Sequence, residues 1–197
     1  MILLRHGQSE FNVRFSVAKI DPGIADPHLT PLGHEQARQA ATALAGRAIA
    51  RIICSPYSRA LQTAHIIAGA RAVPVIVNPQ VRERYAFSCD IGTPASELAR
   101  AWPALDFSHL DEIWWPAIEE PHAEAGNRAA RFAGEMAALP NWRETLVVSH
   151  WGFLLALSGT RLGNGELLDF DPTAPPPPNR GQAPTGPYMP PPATPLI

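Results

Sequence analysis

The chain has 197 residues, 46% hydrophobic and 17% charged, enough for one α/β domain with a substantial core and short for two. Its formal net charge of −2 gives no general electrostatic reason to meet nucleic acid or a membrane surface. Two cysteines, Cys54 and Cys89, cannot build a disulfide framework, and no Cys/His spacing suggests structural zinc. No apolar run approaches the roughly 18 residues a bilayer requires. The first residues reach Arg5 too early to hold a signal peptide's apolar region, so a cytoplasmic protein is expected.

In chain order, residues 2–4 are a short apolar run that ends in a polar, glycine-bearing turn, which reads as a strand. Residues 31–45 have helical spacing and stop at Gly46. Residues 51–54 read as a second strand, broken by Ser55-Pro56, with a helix over 59–68. Residues 75–77 form a third strand, 127–139 a helix, 145–149 a β-branched strand, and 153–157 the start of another helix. This alternation predicts an α/β fold over residues 1–171, a three-layer α/β/α sandwich with a mostly parallel central sheet.

Two stretches depart from the alternation. Residues 80–122 hold Trp102, Trp114 and Trp115 with little sustained periodicity, and read as an insertion or lid over the carboxyl ends of the strands. Residues 172–197 hold 11 of the 22 prolines and predict an extended, PPII-like tail. Such a tail can lie on its own domain or act as an arm around a second copy in a homodimer.

Three polar clusters directly follow predicted strands: Arg5-His6-Gly7, the run from Ser55 to Arg59, and Ser149-His150. If those strands are parallel neighbours, two arginines and two histidines converge on one rim. Arginine forks match phosphate oxygens, and imidazole can donate, accept or attack phosphorus. Taken singly, an Arg or His at a strand end more often serves the structure, so the weight lies on the joint placement.

The residues from Arg5 to Asn12 (Arg-His-Gly-Gln-Ser-Glu-Phe-Asn) resemble the RHG signature of the histidine phosphatase superfamily, the phosphoglycerate mutase-like family. Four further segments match in the family's order: Asp26 to Gly33 its D-x-x-L-T-x-x-G, Ser55 to Ala64 its S-P-x-x-R-A-x-Q-T-A, Val81-Arg82-Glu83 its L-R-E, and Val147 to His150 its V-V-S-H. The resemblance spans about residues 2–160 and implies a phosphoglycerate mutase-like fold. It makes His6 the nucleophile that becomes transiently phosphorylated. Arg5, Arg59 and His150 would hold the phosphoryl oxygens, and Glu83 would protonate the leaving alcohol and then activate water, a role that requires it protonated near neutral pH. The alternative for Glu83 is a salt bridge with Arg82 or Arg84. Asn12 and Thr30 match positions near the phosphate pocket. No metal and no cofactor is implied, the substrate being a small-molecule phosphate ester held by cationic side chains.

Some residues read differently. Gly7 is expected to let backbone approach the phosphate, and Thr30-Pro31 to start a helix as cap and first residue. Cys54 reads as a buried small apolar residue and Cys89 as a poor nucleophile. Trp151 stands where many members of the family have Gly, as a substrate wall, a plug or a core anchor. Residues 111–116, rich in acid and Trp, are expected to shape specificity, either as a lid anchored by buried Trp or as a cation-binding or sugar-stacking wall, with Arg82, Arg84 and Arg128 offsetting their charge. The absence of Asp after His150 favours Glu83 as proton donor. The segment after Glu83 only partly echoes that of the mutases, which favours a phosphatase. A mutase-like phosphotransferase and a catalytically silent phosphate-binding module remain as alternatives.

Overall fold

The computed structural model describes residues 1–185. Among them the sheet has five strands: β1 (Ile2–Arg5), β2 (Arg51–Cys54), β3 (Val75–Val77), β4 (Thr145–Ser149) and β5 (Leu167–Asp169). Their order across the sheet is β3-β2-β4-β1-β5, parallel except for β5, which runs antiparallel to β1 at the edge. Helices α1 (Glu10–Ala18), α2 (Pro31–Ala43), α3 (Ser58–Gly69), α4 (Ala95–Ala101), α5 (His122–Ala137) and α6 (Trp151–Ser158) complete the chain order.

Strand alternation sorts the core into two layers. Ile2, Leu4, Ile52, Cys54, Leu146 and Val148 face α2 and α3, together with Ala40, Leu61 and Ala64. Leu3, Ile53 and Val147 face the opposite side, against Ala129, Phe132 and Met136 of α5 and Phe153, Leu154 and Leu157 of α6. Central strands covered on both faces need the near-continuous apolar runs that β1 and β4 have. No helix among the described residues is long and apolar enough to cross a membrane.

Register is what brings the polar clusters together. Arg5 pairs with Ser149, and Cys54 with Val148, so β1, β2 and β4 end at one level. The His6 N–H donates to the Ser149 carbonyl at 3.0 Å and the Ser55 N–H to Val148 at 3.1 Å, which extends the pairing by one residue past the strands. A ligand site at the carboxyl ends of central parallel strands follows from this geometry.

Local structure differs from the sequence reading in several places, among them helix α4 within the insertion. Helix α1 was absent from the predicted elements because only Phe11 among its residues is buried. Its start rests on a capping box between Ser9 and Asn12. Strand β5 was absent too, a half-exposed three-residue edge. Gly7 is needed for packing: a Cβ there would lie 2.2 Å from the Gly33 carbonyl oxygen, and one on Gly33 2.0 Å from that of Gln8. The tail is not simply extended over its described part. Turns closed by Ala174, Arg180 and Gln182 N–H groups fold it, with Gly181 at φ +78°.

That folded tail lies on α5 and α6. Gly126 of α5 lets the Gly181 backbone approach so closely that a Cβ would be 2.6 Å from its Cα. Arg180 donates to the Leu157 carbonyl at 3.2 Å, and Arg161 to that of Thr185 at 2.8 Å. The arm reading for residues 186–197 lies outside the described residues.

Candidate active site

His6 is the first residue past β1 and is almost fully buried. Its Nδ1 lies 2.6 Å from the Gly7 carbonyl, which can only accept, so Nδ1 carries the proton and Nε2 the lone pair. Gly7 is itself held, its N–H donating to Thr63 Oγ1 at 3.2 Å, while the Thr63 hydroxyl donates to the Arg59 carbonyl at 2.8 Å. Asn164 Nδ2 donates to the His6 carbonyl at 3.1 Å. The nucleophile candidate is thus oriented by its neighbour Gly7 and by two segments distant in sequence.

His150 is the N-cap of α6, with ring centroid 5.0 Å from that of His6. Its Nε2 is 2.7 Å from Ser55 Oγ, whereas its Nδ1 is buried without a hydrogen-bond partner among the described residues. Burial, with Arg59 and Arg5 nearby, holds the pKa of His6 well below 6.5. His150 is lowered in the same direction by burial first, then by Arg59 and His6. Both imidazoles are neutral at pH 7, the form that a nucleophile at Nε2 requires.

Arg59 stands in the first turn of α3, whose Ser58 N–H is capped by Asp26 Oδ1 at 2.8 Å. Its guanidinium donates to the Cys89 carbonyl at 2.7 Å and pairs with Asp90 Oδ1 at 3.3 Å, both partners buried. It also lies 4.5 Å from the Tyr57 ring centroid. Burial raises the pKa of Asp90 to about 6 against the pull of Arg59. Arg5 donates to the Leu162 carbonyl at 2.9 Å.

The Glu83 carboxylate accepts from Gly152 N–H and Phe153 N–H, both at 3.0 Å, and from Arg84 N–H at 2.8 Å. It makes no salt bridge with Arg82 or Arg84. Those arginines pair with Glu120 and Glu119 instead. The loop that carries Glu83 is pinned by buried Arg128 of α5, which donates to the Gln80 and Arg82 carbonyls at 2.7 and 2.8 Å and pairs with Glu120.

Arg5, His6, Asn12, Arg59 and Glu83 line one cavity of ≈ 240 Å³. His150 is not among its lining residues and sits fully buried behind His6. Thr30 is not brought to the cavity. Its hydroxyl accepts from Gly33 N–H at 3.1 Å as the cap of α2 and donates to Gln8 Oε1 at 2.9 Å. Asn12 Oδ1 is occupied by Ser9 and Asn164.

Trp151 lines the cavity as a wall. Residues 111–116 do not: Trp114 is buried edge-on against Tyr57, at 4.6 Å between ring centroids, so this segment anchors the insertion. Of residues 80–122, Glu83, Arg84, Ala86, Phe87, Cys89, Asp90 and His122 line the cavity. Burial pushes both cysteine thiols upward, so neither is a ready thiolate.

Sequence reasoning did not select Asp90, Thr63, Asn164 or Arg128 as supports of the site. Thr63 stood inside a quoted motif but read as helix packing, Arg128 read as offsetting acidic charge near the pocket, and Asp90 and Asn164 carried no local signal. Among the described residues, no group of three or more His, Cys, Asp or Glu side chains is arranged to hold a metal ion.

Comparison with known proteins gives the family. A family model described as histidine phosphatase superfamily (branch 1) matches residues 1–172. A glucosyl-3-phosphoglycerate phosphatase of Mycolicibacterium vanbaalenii is 29% identical over 171 residues, covering 83% of this chain and 74% of the relative. A probable phosphoglycerate mutase, GpmB, of Proteus mirabilis is 32% identical over 173 residues, covering 82% and 74%. The native structure of a mycobacterial glucosyl-3-phosphoglycerate phosphatase matches with TM-score 0.56 at 26% identity, covering 80% of this chain and 76% of that one.

Proposed function

The chain belongs to the histidine phosphatase superfamily and is a phosphatase, and from that premise we propose that it hydrolyses small phosphate monoesters through a phosphohistidine at His6 without a metal. The observation that carries the reading is the Gly7 carbonyl on His6 Nδ1, which leaves the lone pair on Nε2 of a histidine that shares one cavity with Arg59 and Glu83.

In the first half-reaction, His6 Nε2 attacks phosphorus in line. The N–P bond forms as the P–O bond to the alcohol breaks, and Glu83 gives the departing oxygen its proton. Arg5 and Arg59, which line the cavity with Asn12, stabilise the equatorial oxygens. His150, whose Nδ1 has no hydrogen-bond partner among the described residues, adds a donor where the seated phosphate displaces the lining enough to reach it. In the second half-reaction, Glu83 takes a proton from water. The water oxygen then attacks phosphorus, the N–P bond breaks, and inorganic phosphate leaves with His6 restored.

The test is phosphate release from a panel of phosphomonoesters with EDTA present throughout, wild type beside His6→Ala. Turnover that survives EDTA and vanishes in the variant is expected. Isomeric phosphate esters appearing in place of free phosphate would instead establish phosphotransfer, and turnover by His6→Ala would remove His6 as nucleophile.

A further inference from the structure

The cavity that holds the His6 end continues into a chamber of different chemistry. Phe11 and Phe15 stand four residues apart on α1, so both project on the same side, and Phe87 meets them from the loop after Glu83. The three rings form a cluster, with centroids 5.2 Å apart for Phe11–Phe15, 5.1 Å for Phe15–Phe87 and 5.8 Å for Phe11–Phe87. All three line the cavity beside Ala86, and Phe87 is 39% exposed. Trp151 and Pro184 line it too.

The charged groups around this chamber are already committed. Arg84 lines it, but donates to Glu119 Oε1 and the Glu120 carbonyl, both at 2.9 Å. Arg82 and Arg128, behind it, share Glu120. His122, the remaining basic group of this wall, has its pKa lowered by burial and by Arg84, so it is neutral at pH 7. A second anionic group on a substrate could draw on Arg82 or Arg128 only by leaving the buried Glu120 carboxylate short of a partner, and on Arg84 only by breaking its bonds to exposed Glu119 and to the Glu120 carbonyl.

We infer that the Phe11–Phe15–Phe87 chamber is the leaving-group subsite, and that it selects phosphate monoesters of apolar, ring-bearing alcohols with no second anionic group. The inference rests on the phosphatase reading for its chemistry and on the aromatic cluster for its selectivity. Stacked and edge-on rings add affinity beyond area alone, which an aliphatic polyol cannot gain.

The experiment compares kcat/KM for naphthylmethyl phosphate, glycerol 3-phosphate and 3-phosphoglycerate. An arylalkyl ester is chosen over an aryl ester so that leaving-group basicity does not favour the ring. Wild type is expected to prefer naphthylmethyl phosphate by about tenfold or more, mostly through KM. In Phe87→Ala the ratio of naphthylmethyl to glycerol phosphate should collapse about tenfold, and Phe87→Leu should recover part of it.

Preference for 3-phosphoglycerate, or a ratio untouched in Phe87→Ala, overturns the subsite. Non-cleavable naphthylmethylphosphonate and methylphosphonate, compared by calorimetry, separate the two readings. If no ester is cleaved but the aryl phosphonate binds about tenfold tighter and loses this in Phe87→Ala, hydrolysis fails and the subsite stands. Equal binding of the two phosphonates overturns the subsite whatever the turnover.

Discussion

Glu83 and Gly152 are joined by a 3.0 Å hydrogen bond from the Gly152 N–H to the Glu83 carboxylate, in the first turn of the helix that His150 caps. This seats the proposed proton donor on the same helix terminus as the second histidine. The glycine is required for that contact, since a Cβ on residue 152 would lie 2.6 Å from Glu83 Oε1.

Gly152→Ala should therefore separate catalysis from folding. The atom displaced is the end of a flexible side chain, so the melting temperature should hardly move. The carboxylate, however, loses its seat, and kcat should fall about tenfold or more. Glu83→Gln should cost about 10²–10⁴ in kcat, the usual range for removal of a general acid. A fully active Gly152→Ala enzyme would show that the seat is dispensable.

Acid should destabilise the fold through its buried histidines. His6 and His150 have native pKa values held well below 6.5. Below about pH 6.5 the unfolded chain takes up protons that the native chain refuses. Stability falls with pH by up to about 1.4 kcal/mol per unit for each group. Asp90 carries the opposite sign, because burial raises its native pKa from 3.8 to about 6. Between those values the native chain takes the proton first, which offsets part of the loss. Denaturant titrations from pH 6.5 to 4.5 should show Asp90→Asn losing stability more steeply below pH 6 than wild type. Parallel slopes would mean that Asp90 does not titrate in that window.

The tail's seat on α5 can be removed by one methyl group. Gly126→Ala puts a Cβ 2.6 Å from Gly181 Cα, a backbone atom that can yield only if the tail lifts. Within α5 the change is favourable by about 1 kcal/mol in helix propensity, so the domain itself should stay folded. Tryptic cleavage after Arg180 should accelerate about tenfold or more as local opening becomes easier. An unchanged cleavage rate would show that the tail is held elsewhere.

Several features were legible because they depend on neighbours in sequence. Strands β1, β2, β3 and β4 announce themselves as short apolar runs ended by polar turns, and Thr30-Pro31 as the start of α2. The placement of Arg5, His6, Ser55 and His150 after those strands was likewise readable, because parallel strands bring their carboxyl ends to one side. The five ordered segments tied those residues to one family.

Other features exist only through space. Asp90 meets Arg59 across 31 residues, Asn164 meets His6 across 158, and Arg128 grips the loop before Glu83 from another helix. No local pattern encodes such pairings, because a buried polar group takes whichever partner the packed chain presents. Packing likewise sets Gly7 against Gly33 and holds the Thr30 hydroxyl in its helix cap. The sequence by itself determined the family and which polar groups follow the strands. Tertiary packing decided how each is aimed, and which arginines are spent on glutamates before any substrate arrives.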